Sequence, residues 1–76
     1  MDPRDLEIIQ KHAGEDKVLE ALYKEHIRYE KQLSKLDNKL FLSPQEELQR
    51  KELQKKKLIG KDRIEVILKT YRNNNQ

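Results

Sequence analysis

A heptad pattern in residues 19–40 constrains the fold of this chain more than any other feature. Apolar and aromatic residues, with one histidine, recur at alternating intervals of three and four positions, the spacing of a helix face that packs along another helix. This predicted seam consists of Leu19, Leu22, His26, Tyr29, Leu33, Leu36 and Leu40. A seam of this length predicts a long helix with a helical partner.

The composition agrees with an all-α fold of one small domain spanning residues 1–76. Charged residues make up 41% of the chain and hydrophobic residues 34%, with two glycines and two prolines, a balance typical of long helices and coiled coils. The lack of cysteine excludes disulfides and thiolate zinc sites. The charged N-terminus and the lack of a run of about 20 apolar residues predict a cytoplasmic protein with no membrane partner.

Capping signals divide the chain into three predicted helices. Asp2 and Pro3 suit the start of a short first helix, which Gly14 would end in a left-handed conformation. Asp16 can cap the second helix. The predicted segments are a short helix over 3–13, a long helix over 16–41, a long helix over 44–71 and a frayed tail over 72–76.

A short turn separates the two long helices. Ser43 and Glu46 have the spacing of a capping box, and Pro44 suits the first helical position between them. Long helices joined by a short loop predict an antiparallel two-helix hairpin, coiled-coil-like, with the short N-terminal helix either docked on it or frayed.

The third helix carries two apolar stripes on a helical wheel. One stripe contains Leu48, Ile59 and Val66. The other contains Gly60 and four larger residues, Leu53, Ile64, Ile67 and Tyr71. A simple hairpin covers one stripe, so the second stripe indicates a further partner, either the first helix folding back or another copy of the chain. We expect these four larger residues to bind a second copy of the chain or another protein. Gly60 either allows a close approach or a bend, or is a tolerated substitution.

A basic segment lies within the same helix. Residues 49–63 contain seven Lys or Arg and two Asp or Glu. Nucleic-acid binding through residues 50–63 is therefore an alternative function. The basic side chains point in nearly every direction around the helix and have no aromatic residue among them to stack on bases, so a solvated surface is favoured.

Few residues of this sequence are candidates for catalysis or metal binding. His26 in the seam is expected near Leu58, with Asp62 one turn further on. A His–Asp or Tyr–Asp hydrogen bond, with His26 and Asp62 as the candidate pair, would fix the register of the hairpin. His26 and Glu30 have a spacing that metal ligands use, but the sequence supplies no obvious second pair of ligands. A thin hairpin offers no catalytic pocket. We therefore predict a protein that is not an enzyme, with no catalytic residues, no metal and no cofactor.

Residues 18–70 resemble the YdcH-like family of small bacterial helical proteins of unknown function. The likeness rests on EHIRYEKQLSKL, which contains His26, Tyr29, Leu33 and Leu36, and on KLIGKDRIEVIL, from Lys57 to Leu68. Gly60 departs from the good helix former expected there. The resemblance implies an antiparallel helical hairpin without enzyme chemistry. We expect a non-catalytic hairpin that acts through protein–protein contacts or self-association, as a dimer or a higher oligomer.

Overall fold

The computed structural model describes residues 2–74 of the chain. They form three α-helices: α1 (Pro3–His12), α2 (Lys17–Asp37) and α3 (Pro44–Asn74). The all-α class is confirmed, since this part of the chain contains no strand. The molecule is elongated, with extents of 48 × 19 × 17 Å. Across residues 2–74, no helix has the length and apolar character needed to cross a membrane.

Helix α1 starts and ends with local hydrogen bonds. The Asp2 carboxylate accepts a bond from the Arg4 amide at 2.9 Å, which satisfies a free donor of the first turn. After His12 the chain turns at once, and the amides of Glu15 and Asp16 donate to the His12 carbonyl. The prediction of a left-handed Gly14 is wrong, because no described residue has a positive φ. Residues 13–15 make the turn without a positive φ, and the extended residue Asp16 leads into α2.

Helix α2 begins at the predicted cap but ends four residues early. Asp16 Oδ1 accepts a bond from the Leu19 amide at 3.0 Å. The amides of Asn38 and Lys39 close the last turn on α2 carbonyls, and residues 38–43 then cross to α3. Leu40 is 94% exposed, so its assignment to the seam is wrong. The chain needs several non-helical residues to cross between two helix axes about 8–10 Å apart.

Helix α3 starts with a reciprocal capping box and is longer than predicted. Ser43 Oγ accepts a bond from the Glu46 amide at 3.2 Å, and Glu46 Oε1 accepts one from the Ser43 amide at 3.1 Å. The helix continues to Asn74, so the predicted frayed tail is wrong for residues 72–74, and residues 75–76 lie outside the described part. Arg72, in this added length, pairs with Asp5 of α1 at 3.6 Å.

The buried side chains form two clusters. The three-helix cluster joins all three helices and contains Ile9, Leu19, Ile64 and Leu68, each at most 2% exposed. The two-helix cluster lies nearer the loop and contains Leu33, Leu36 and Leu53. Burying one such side chain fully stabilises the fold by about 1.5–3 kcal/mol. Ile9 settles the position of the short N-terminal helix, which docks on the two long helices.

Candidate functional site

The two apolar stripes of α3 have environments opposite to those predicted. Leu53 and Ile64 are buried in the two clusters, and Ile67 and Tyr71 pack against the three-helix cluster. The prediction that these four residues form the partner interface is therefore wrong. They face α1 and α2, because the buried seam residues of α2 pack on this side of α3. The apolar side chains of α3 that stay in solvent are Leu48, Leu58, Ile59 and Val66.

A groove runs between α2 and α3 beside the exposed stripe. Its wall from α2 consists of Leu22, Glu25 and Tyr29. The wall from α3 consists of Lys56, Ile59, Gly60 and Arg63. The hollow next to α1 is lined by other α2 residues, Tyr23, His26, Ile27 and Glu30. The groove therefore lies on the side of the molecule that α1 does not cover.

Ile59 and Gly60 leave this groove open to solvent. Ile59 is 45% exposed although it lines the groove. A Cβ added to Gly60 would meet nothing within 4 Å in the part of the chain that the structure describes. The backbone of Gly60 does not have a positive φ either. Neither conformation nor packing within residues 2–74 therefore requires glycine here, and the bare backbone offers room for close approach from outside.

The groove carries charges of both signs. Glu25 lies on the α2 side, and Lys56 and Arg63 lie on the α3 side. Within residues 2–74 none of these three side chains belongs to an ion pair, whereas Lys24, Arg50 and Arg72 all do. An acidic edge opposite a basic edge is a pattern that an external partner of matching charge would complete.

His26 does not make the predicted contact with Asp62. His26 is 5% exposed and its Nε2 lies 2.7 Å from Glu30 Oε1, one turn along the same helix. Asp62 is exposed, because the face of α3 that carries it also carries exposed Leu58 and Val66. The prediction that His26 and Asp62 form a polar pair that fixes the register is therefore wrong. Among residues 2–74, no group of three or more His, Cys, Asp or Glu comes together in a way that could hold a metal ion.

Tyr71 forms a polar contact that sequence reasoning missed. Its hydroxyl donates to Asp16 Oδ2 at 2.7 Å, while Asp16 Oδ1 caps α2. The bond from Tyr71, followed by the bond from the Leu19 amide, lowers the pKa of Asp16. The carboxylate of Asp16 raises the pKa of Tyr71. His12 stacks on the Tyr71 ring at 3.9 Å between centroids. This contact fastens the turn before α2 to the end of α3, so its role is structural.

The loop end of the molecule is held by ion pairs. Lys39 Nζ binds Glu46 Oε2, and Arg50 Nε lies 2.8 Å from Asp37 Oδ1. The bond from Lys39, with that from the Ser43 amide, lowers the pKa of Glu46. Leu40 and Phe41 project into solvent at 94% and 87% exposure. These side chains lie at the tip of the molecule, away from the groove beside Gly60.

Most basic side chains of residues 50–63 have no acidic partner among residues 2–74. Arg50 pairs with Asp37. Six further basic side chains form no ion pair with any described residue: Lys51, Lys55, Lys56, Lys57, Lys61 and Arg63. Their charges remain available to an external anion, although they surround the helix rather than forming one surface.

Comparison with known proteins adds no relative. No family model matches the chain, and no curated protein or solved structure matches it either. The resemblance to the YdcH-like family, carried by residues of α2 and α3, therefore stays a prediction.

Proposed function

We propose that this chain is an antiparallel two-helix hairpin, coiled-coil-like, braced by α1, that acts in the cytoplasm through protein–protein contacts without catalysis. The observation that carries the proposal is the exposed apolar stripe on α3, which contains Leu48, Ile59 and Val66. Ile59 and Val66 stay 45% and 67% exposed, while the opposite face of the same helix is already buried. Exposed apolar rows with a polar rim are typical of interaction sites.

Contacts at the two ends of the long helices support the antiparallel arrangement. Asp37, at the end of α2, pairs with Arg50 near the start of α3. Asp16, at the start of α2, accepts a hydrogen bond from Tyr71 near the end of α3. A second helix running in the opposite direction satisfies both contacts. The same arrangement is the fold that the resemblance to the bacterial YdcH-like proteins implies.

Site-specific photocrosslinking tests the proposed contact surface in cells that produce the chain. A photoreactive phenylalanine analogue replaces Ile59 beside the groove or, as a matched control, Lys61. Lys61 lies on the other side of α3, because it is four residues from Glu65, whose partner Arg72 pairs with α1. We expect protein adducts at position 59 that are at least about tenfold more abundant than at position 61.

The adducts also decide between functions. Equal yields at both positions, or no protein adduct at position 59, would contradict the proposed contact surface. The second candidate is nucleic-acid binding through residues 50–63, favoured by the six basic side chains without an acidic partner in residues 2–74. Adducts whose mobility changes on nuclease treatment would support that candidate, because the attached mass would then be nucleic acid.

A further inference from the structure

We propose that the partner in the groove is a second copy of this chain, and that two hairpins form a four-helix bundle with a two-fold axis parallel to their long helices. The inference rests on the proposed hairpin and on its contact function, and it names the partner. The groove beside Gly60 would then be the dimer interface, and α1 would remain on the outside of each protomer.

The register within one chain fixes which residues meet. In the pairs Asp37–Arg50 and Asp16–Tyr71, the two residue numbers add up to 87. The two-fold operation places α2 of the second copy along α3 of the first, again antiparallel and at the same levels. Each residue of the second α2 therefore faces the α3 residue whose number completes about 87.

This register brings apolar surfaces of the two copies together. Tyr29 of the second copy falls at the level of Ile59, and Leu22 of the second copy falls at the level of Val66. Both α3 residues are exposed in the single chain, whereas Leu22 and Tyr29 line the groove. The dimer covers these apolar surfaces, and burial contributes about 25 cal/mol for each Å² removed from water.

The two-fold axis gives the charged residues of the groove partners of opposite sign. Glu25 of the second copy falls at the level of Arg63, and the symmetry forms this pair twice. Within one chain Glu25 and Arg63 line the same groove, but the structure contains no ion pair between them among the described residues. A groove with basic edges alone would fit an acidic partner. The mixed signs fit a copy of the same groove turned through 180°.

Gly60 and the size of the molecule agree with this packing. A helix that approaches α3 closely needs a position without a side chain, and Gly60 leaves that space empty in residues 2–74. One long face of the molecule measures 48 Å by 19 Å, a projected area on the order of 900 Å². This upper limit exceeds the roughly 800 Å² per partner of a standard interface.

Two single charge-reversal variants, studied alone and as a mixture, test the proposed register between the two copies. Glu25→Arg alone and Arg63→Glu alone each place like charges opposite each other twice in a homodimer. We expect each variant to raise the dissociation constant of the dimer about tenfold, since two weak attractions become repulsions. An equimolar mixture of the two variants forms opposite charges at both positions of a heterodimer, so mixing is expected to restore the wild-type constant.

Light scattering coupled to size exclusion over a range of concentrations gives the mass, with 9.2 kDa for a single chain. Circular dichroism checks that each variant is helical. Lys61→Glu is the matched control, because it reverses an exposed basic residue on the α1 side of the same helix and is expected to keep the wild-type dissociation constant.

Three outcomes would overturn the dimer. They are a wild-type chain that stays monomeric at every concentration, a mixture that associates no better than the single variants, and a Lys61→Glu effect as large as that of Arg63→Glu. A monomeric wild type that still gives protein adducts at position 59 in cells would reject the second copy as the partner and leave the contact function standing. The two proposals therefore fail separately.

Discussion

The two faces of α3 have similar apolar side chains and opposite environments. Leu53, Ile64 and Leu68 on the inner face are at most 7% exposed. Ile59 and Val66 on the outer face are 45% and 67% exposed. The inner face is distinguished by what packs on it, which is α2 along its length and α1 at the far end. Burial of a stripe thus depends on the partner helix and not on the apolar character of the stripe.

The largest expected difference between the faces comes from truncating one isoleucine on each. Ile64→Ala removes a fully buried side chain that joins α3 to the three-helix cluster, and we expect it to lower the free energy of unfolding by about 2–5 kcal/mol. Ile59→Ala on the outer face is expected to change it by less than about 1 kcal/mol in the monomer. Chemical denaturation at a concentration that keeps the chain monomeric measures both. Equal losses would mean that the outer face is also part of the core.

Gly60 lies between the two faces. Substitutions at this position are expected to affect the stability of the monomer and the association of two copies differently. Gly60→Ala is expected to raise the free energy of unfolding of the monomer by about 1 kcal/mol, because alanine is the better helix former and its Cβ meets no described atom within 4 Å. Thermal or chemical unfolding of the dilute chain checks this gain. A loss of stability would show that the chain itself needs glycine at this position.

A larger residue at the same position is expected to weaken association without affecting the folding of the monomer. Gly60→Leu retains good helix propensity but fills the space next to the groove. The monomer should therefore stay folded by circular dichroism, while the dissociation constant of the dimer rises at least about tenfold. An unchanged dissociation constant would place the dimer contact elsewhere on the molecule.

The smallest expected effect concerns Tyr71, on the inner face. Tyr71→Phe removes the bond to Asp16, so the wild type should be the more stable protein near neutral pH. The pKa of Asp16 is lowered from 3.8 in the folded chain. This contribution is therefore complete above pH 3.8 and is lost as the pH falls through the lowered pKa. The pKa of Tyr71 is raised from 10.0, so its contribution is complete below pH 10.0 and is lost as the pH rises through the raised pKa.

Unfolding measurements across the pH range give the difference in stability between wild type and Tyr71→Phe. We expect a plateau between about pH 5 and pH 9, with a decrease on either side. Phenylalanine can keep the stacking on His12, so the comparison isolates the hydroxyl. A difference that does not change with pH would show that the bond to the Asp16 carboxylate is not the source of the stabilisation.

Local signals in the sequence determined the helices and their starting points. Asp2, Asp16 and the capping box of Ser43 and Glu46 act on backbone amides within four residues, so their effect does not depend on the rest of the chain. The heptad of α2 likewise marks the side that is buried from Leu19 to Leu36. The all-α class follows from these features.

The tertiary structure decided where α2 ends, which stripe of α3 is buried and where His26 finds its partner. Each depends on distances between elements far apart in sequence. Leu40 leaves the seam because the chain must cross to α3, and His26 contacts Glu30 because Asp62 lies on the exposed face. The two stripes of α3 satisfy the same helical periodicity, so periodicity alone cannot choose between them. Docking of α1 through Ile9, together with the seam of α2, buries one stripe and leaves Ile59 and Val66 exposed to solvent.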